Sequence, residues 1–159
     1  MDFARVSFGE TIAGVSGFLL LLFMFLPWFG YSAELGGVAS VDSVNGNFWE
    51  VSSFLDVLLF LVGLIAVGAA LAQAAGAMPA NLPAPAGLIV LGAGALAVLI
   101  VLFRLLVPPD GGIDEIDVSR KIGVFLGLIA AAGVTFGGYT AMNERASGAG
   151  PRGARPPGA

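Results

Sequence analysis

Four apolar stretches, at about residues 11–31, 53–75, 86–107 and 122–142, decide what this chain can fold into. Each is long enough to cross a hydrocarbon layer of roughly 30 Å, which takes about 20 helical residues. No water reaches that layer to satisfy backbone donors and acceptors, so such a run has to be helical. The expected fold class is therefore all-α, an integral membrane four-helix bundle. Its helices are expected at about 7–31, 48–75, 86–107 and 120–142, within a transmembrane domain covering residues 1–143. The first run is too long for a secretory signal, and the following "YSA" places Tyr31 where a cleavage site needs a small residue.

The share of hydrophobic residues, 57%, against 11% charged agrees with a bilayer as the solvent. The chain has no cysteine and no histidine, which excludes disulfides, thiol nucleophiles, histidine-based triads and nearly every zinc site. No cofactor and no enzymatic activity are expected. The net charge of -4 comes from acids gathered in loops, and without a basic surface a nucleic-acid partner is not expected. The expected partners are the lipid bilayer and a membrane protein or a second copy of the chain.

Local chemistry marks the helix ends. "SFGE" offers Ser7 as N-cap with Glu10 three residues on, and "NFWE" offers Asn47 with Glu50 in the same relation. A structural capping role is the first reading for both carboxylates, with a proton or cation site as the alternative. Pro85 suits the start of the third helix, and Pro108-Pro109 stops it. Arg5, Arg145, Arg152 and Arg155 share one side of the membrane, and Arg120 and Lys121 the other, a bias that places both termini in the cytoplasm. Trp28, Tyr31 and Trp49 then read as interface anchors on the outer side and Tyr139 on the inner.

The first outer loop, 32–47, contains the turn signal Asn45-Gly46 and can form a short hairpin or lie against the headgroups. The loop "PPDGGIDEIDVSRK" concentrates Asp110, Asp114, Glu115 and Asp117 but lacks the ligand spacing of a calcium-binding loop, so it reads as solvated. Arg120 and Lys121 sit at the positive end of the last helix, which they do not help, so lipid phosphates or the neighbouring acids are their expected partners. Residues 144–159, rich in Arg, Gly, Pro and Ala, read as a disordered cytoplasmic tail.

Small residues recur at helix-packing spacing. Gly63, Gly94, Gly123, Gly127, Gly133 and Gly137 are the candidates for close contacts between helices. Two charges fall inside spans, Asp56 and Arg104. A charge at the centre of a span costs about 2.5 to 3.5 kcal/mol, and less near the interface. Three readings stand side by side: snorkelling of Arg104 to the headgroups, an Asp56–Arg104 ion pair between the second and third helices, and an ion or substrate site. Along any path below Asp56 the sequence offers only Gln73 and Thr135 as further polar groups.

Taken together, "LPWFGYS", "NFWEVSSFLDVLL", "FRLLVPPD" and "GVFLGLIAAAGVTFGGYTAMNE" resemble a pattern in small four-span membrane proteins of high-GC Gram-positive bacteria. Trp28, Trp49, Phe54, Asp56, Arg104, Pro108, Pro109 and Gly138 carry that resemblance. It implies the architecture and a bacterial inner membrane, and it implies no activity. The spacing of Trp28 and Trp49 is also similar to the tryptophan pair of claudin-type proteins, but the Gly-Leu and the two cysteines of that pattern are missing here. The function expected is that of a non-catalytic envelope or accessory subunit, with an oligomeric transporter or channel component using Asp56 and Arg104 as the alternative.

Overall fold

The computed structural model describes residues 6–35, 39–47, 53–79, 81–107 and 116–147. In chain order they form α1 (Phe8–Phe23), β1 (Pro27–Leu35), β2 (Ala39–Asn47), α2 (Ser53–Ala74), α3 (Ala86–Leu106), β3 (Ile116–Arg120) and α4 (Ile122–Ala146). Helices dominate, and α2, α3 and α4 are each long and apolar enough to cross a membrane. The expectation of an all-α chain misses a three-stranded antiparallel sheet of order β2-β1-β3.

The first helix is the main correction. The apolar run predicts a helix to residue 31, yet α1 ends at Phe23 after 16 residues, about 24 Å at 1.5 Å per residue. Hydropathy alone cannot separate a helix from a buried strand. Proline does, because Pro27 lacks an amide hydrogen and disfavours the helical region for the residue before it. The chain tightens through bonds from Phe25 N to Leu22 O and from Leu26 N to Phe23 O, both 3.1 Å, and enters β1 at Pro27. A proline is tolerated as the first residue of a strand.

β1 is the central strand, so its backbone is paired on both sides. β2 returns beside it as the hairpin that the first loop allowed, but Asn45 and Gly46 lie within β2, opposite Gly30 and Phe29, and not at its turn. The acidic loop read as solvated supplies β3, where Arg120 pairs with Phe29 and Val118 with Tyr31. Asp110, Asp114 and Glu115 lie outside the described residues.

α4 is the most extensively packed helix, lying against α1 on one side and α3 on another. α2 packs on α1 and least on α3. The core joins Leu20, Leu59, Val62, Val101 and Val134 of the helices to Trp28 and Phe29 of β1. Large apolar side chains such as Phe18, Leu64, Leu99, Ile129 and Phe136 are exposed on the outer faces of the helices. α2 closes with Gly76 at φ 66°, where Ala77 N bonds to Ala72 O and Gly76 N to Gln73 O. That pair of bonds is the Schellman stop, which needs a left-handed residue and therefore favours glycine. The proposed start of the second helix, with Asn47 capping and Glu50 beyond it, falls partly on residues 48–52, outside those described.

Candidate functional site

The body has two polar ends, one carrying the sheet and one carrying the start of α1 and the end of α4. At the sheet end the interface anchor expected at Trp28 is corrected: its side chain is 0% exposed. The β1–β2 register moves from Pro27 opposite Asn47 to Phe29 opposite Gly46, two steps on β1 against one on β2. Such a bulge inserts an extra residue and re-aims its side chain. Neighbouring strand residues normally face opposite sides, yet Trp28 and Phe29 are both fully buried.

The indole rests on α4. A Cβ on Gly127 would come 2.5 Å from the ring, and one on Gly123 would come 2.6 Å from both the ring and Pro27 O. Trp28 Nε1 donates to Phe23 O at 2.6 Å, so this carbonyl at the end of α1 takes a second donor beside Leu26 N. Lys121 N donates to Trp28 O at 2.9 Å and ties α4 to the same point. Tyr31 sits in the β1 ladder opposite Val44 and Val118, with its side chain outside the described set, and Trp49 lies outside the described residues. Tyr139 is exposed on α4.

Asp56 is 1% exposed and continues the buried stripe of Leu59, Val62 and Ala66 on α2. Arg104 lies in the last turn of α3, partly exposed, with its Nε buried and making no hydrogen bond among the described residues. The ion pair recorded among the described residues is Glu10–Arg145. Asp56 stands in the first turn of α2 and Arg104 in the last turn of α3. A carboxylate at a helix start and a guanidinium at a helix end each suit the dipole of their own helix. That accounts for the place of each charge in its own helix.

Arg120 answers differently from its expected lipid or acidic partners. Its Nε donates to Leu105 O at 2.7 Å, so it caps the carbonyl end of α3. A cation unhelpful to the start of α4 thus serves the negative end of the neighbouring helix.

At the other end Ser7 and Glu10 form the capping box: Glu10 N donates to Ser7 Oγ at 3.2 Å, and Ser7 N to Glu10 Oε2 at 3.0 Å. Glu10 also pairs through Oε1 with Arg145, and Gly9 N donates to Glu144 Oε2 at 3.1 Å. The boundary placed at residue 143 is therefore corrected. Glu144 and Arg145 belong to α4, which runs to Ala146, while residues 148–159 lie outside those described. Sequence reasoning assigned both residues to a tail; the available signal was an apolar helix pattern ending in oppositely charged neighbours beside a helix start of matching chemistry.

The glycines mark where backbones meet. Gly63 faces Leu21, Gly94 faces Thr135, Gly133 faces Ser16, and Gly137 faces Ala13 and Gly9. Behind Glu10 these close approaches leave a small cavity between all four helices, lined by Glu10, Ala13, Ala66, Ala70, Gly87 and Gly138 among others. Its accessible room of about 10 Å³ suits a single water. Among the described residues no cluster of three or more acids could hold a metal ion. No protein-family model and no curated protein matches this chain.

Proposed function

We propose that this chain is a four-span protein of a bacterial inner membrane, of the actinobacterial type its sequence resembles, with both termini in the cytoplasm. Its role is that of a non-catalytic accessory subunit. In this reading α1 completes its crossing with the turn after Phe23 and the buried start of β1, whose backbone groups are paired within the protein. Lipid surrounds the outward apolar faces, and the sheet is offered to the outer side.

The observation that carries the non-transporting role is the apolar interior between the two buried acids. From Asp56 to Glu10 the described core is built of Leu59, Val62, Ala66, Leu20 and Ala13. Thr135, a polar group along that path, spends its hydroxyl on Ala131 O at 2.9 Å. A conduit needs groups that replace water along its length. Asp56 in the first turn of α2 and Arg104 in the last turn of α3 do not continue toward Glu10.

The chain has no cysteine, so single cysteines introduced at residue 42 and residue 147 report topology directly. Labelling by an impermeant maleimide from outside is expected at 42 alone in intact cells, and at 147 only after the membrane is opened. Proteoliposomes are expected to show no ion flux above empty vesicles. Flux that disappears in Asp56→Asn would replace the accessory reading with transport.

A further inference from the structure

In the order β2-β1-β3, β2 and β3 are each paired on one side only among the described residues. Alternate residues of an edge strand direct both their N–H and C=O away from the sheet, which makes the edge a template for another strand. The two edges are guarded differently. β3 is five residues long and ends in Arg120, with Lys121 next in the chain. β2 runs nine residues with no lysine, arginine or proline, the residues that usually blunt an edge, and its one charge is Asp42. Among the described elements its substantial packing is on β1 alone. Between Val41 and Val44 it takes three steps against two on β1, a bulge that bends the strand. From Val44 to Asn47 it carries no extra residue, which leaves four residues in straight register.

Charge selects the occupant of that edge. The segments that join the elements of this end are 24–56, with Glu34, Asp42, Glu50 and Asp56, and 104–121, with Asp110, Asp114, Glu115 and Asp117. Against these eight acids stand Arg104, Arg120 and Lys121, a net charge of -5, while the other charges of the chain sum to +1. Helix dipoles leave the sign unchanged, since α2 and α4 begin at this end and α1 and α3 finish at it. A second copy would bring the same -5 against the first, so like charge disfavours pairing β2 with β2.

We infer that the open edge of β2 takes up an extended, cationic segment of a partner protein as a fourth strand, through backbone hydrogen bonds at Val44–Asn47. Backbone bonds supply the affinity in such strand addition, and opposite charge supplies the choice of partner and the speed of encounter. This deepens the accessory reading by naming the chemistry of its partner; ion flux decides that reading, and strand uptake decides this one.

The test uses the full chain in nanodiscs of zwitterionic lipid, with empty discs subtracted, and three labelled octapeptides: alternating Lys-Thr, alternating Glu-Thr, and the Lys-Thr sequence with every backbone amide methylated. Saturable binding of one Lys-Thr peptide per chain is expected, with amide exchange slowed at 44–47 and unchanged in β3. The methylated peptide keeps the charge but loses every backbone donor, and is expected to bind about tenfold more weakly or worse. The Glu-Thr peptide is expected not to bind. Asp42→Lys reverses the charge of the strand and weakens Lys-Thr binding severalfold. Equal binding of the methylated peptide would reduce the effect to charge attraction and overturn the proposal. So would the absence of Lys-Thr binding, protection of β3 in place of β2, or unchanged binding in Asp42→Lys. A dimer of the chain alone, with 44–47 protected in it, would give the edge to a second copy instead. The methylated peptide decides the matter even where Asp42→Lys does not fold.

Discussion

At the sheet end a buried indole, a bulged strand and two glycines of α4 close the body, with the indole donating to the backbone carbonyl of Phe23. At the end where α1 begins and α4 stops, the closure is ionic, through Glu10, Arg145 and Glu144 around the first turn of α1. Both ends solve one problem, the unpaired backbone groups at helix termini. The sheet end does so with bulk fixed in place by shape, and the other end with charges of which Arg145 remains 35% exposed. Packing of that kind tolerates little change, whereas a partly solvated ion pair tolerates a good deal.

The largest effect is expected where shape does the closing. Trp28→Ala empties a fully buried site and removes the indole bond to Phe23 O, so a loss of roughly 3–5 kcal/mol is expected in reversible unfolding from detergent. Gly127→Leu attacks the same contact from α4. Its side chain meets the indole ring, and a loss of at least about 1–3 kcal/mol follows from overpacking. A Trp28→Ala variant as stable as the parent would mean that the sheet, and not the indole, holds this end.

At the ionic end Glu10→Ala is expected to cost about 1–2 kcal/mol, most of it from the lost capping box. Arg145→Gln is expected to cost less than about 1 kcal/mol, because a third of its side chain meets solvent. Raising the salt concentration shrinks the second effect and leaves Trp28→Ala unchanged. If Arg145→Gln costs as much as Trp28→Ala, the contrast between the ends fails.

The two ends also differ in how much of them could be read from sequence. The capping box spans four residues, so Ser7 and Glu10 announced it locally. The partners of that box, Glu144 and Arg145, lie 135 residues away from Gly9 and Glu10, a pairing that only the packing of α1 on α4 brings about. Trp28 was legible as an aromatic at a membrane boundary. Its burial depends on a register shift in a sheet that apolar periodicity did not announce. The helices α2, α3 and α4 were legible because lipid demands continuous apolar helix, whereas the stretch after Phe23 satisfies the same composition with strand. Arg120 was visible as a misplaced cation, and its purpose lies on the neighbouring helix.

Arg120 gives a smaller test at the sheet end. Removal of its bond to Leu105 O in Arg120→Gln is expected to cost about 0.3–1 kcal/mol, the usual worth of an exposed cation at a helix end. Amide exchange is expected to quicken in the last turn of α3 and to stay unchanged in α1. Faster exchange in α1 as well would mean that β3 carries the whole end as one unit.

The smallest expected effect is a coupling energy, and it separates two accounts of the charges inside the spans. If Asp56 and Arg104 acted as an ion pair, removing either would leave the other uncompensated, and the double variant would recover part of the loss. Their positions instead suit the dipoles of two different helices, α2 and α3. The losses in Asp56→Asn and Arg104→Gln are then expected to add, with a coupling below about 0.5 kcal/mol in a double-mutant cycle. Asp56→Asn alone is expected to be the costlier single change, since its site is 1% exposed and Arg104 keeps partial access to solvent. A coupling above about 1 kcal/mol would instead place the two charges in one network and make the sheet end as ionic as the other.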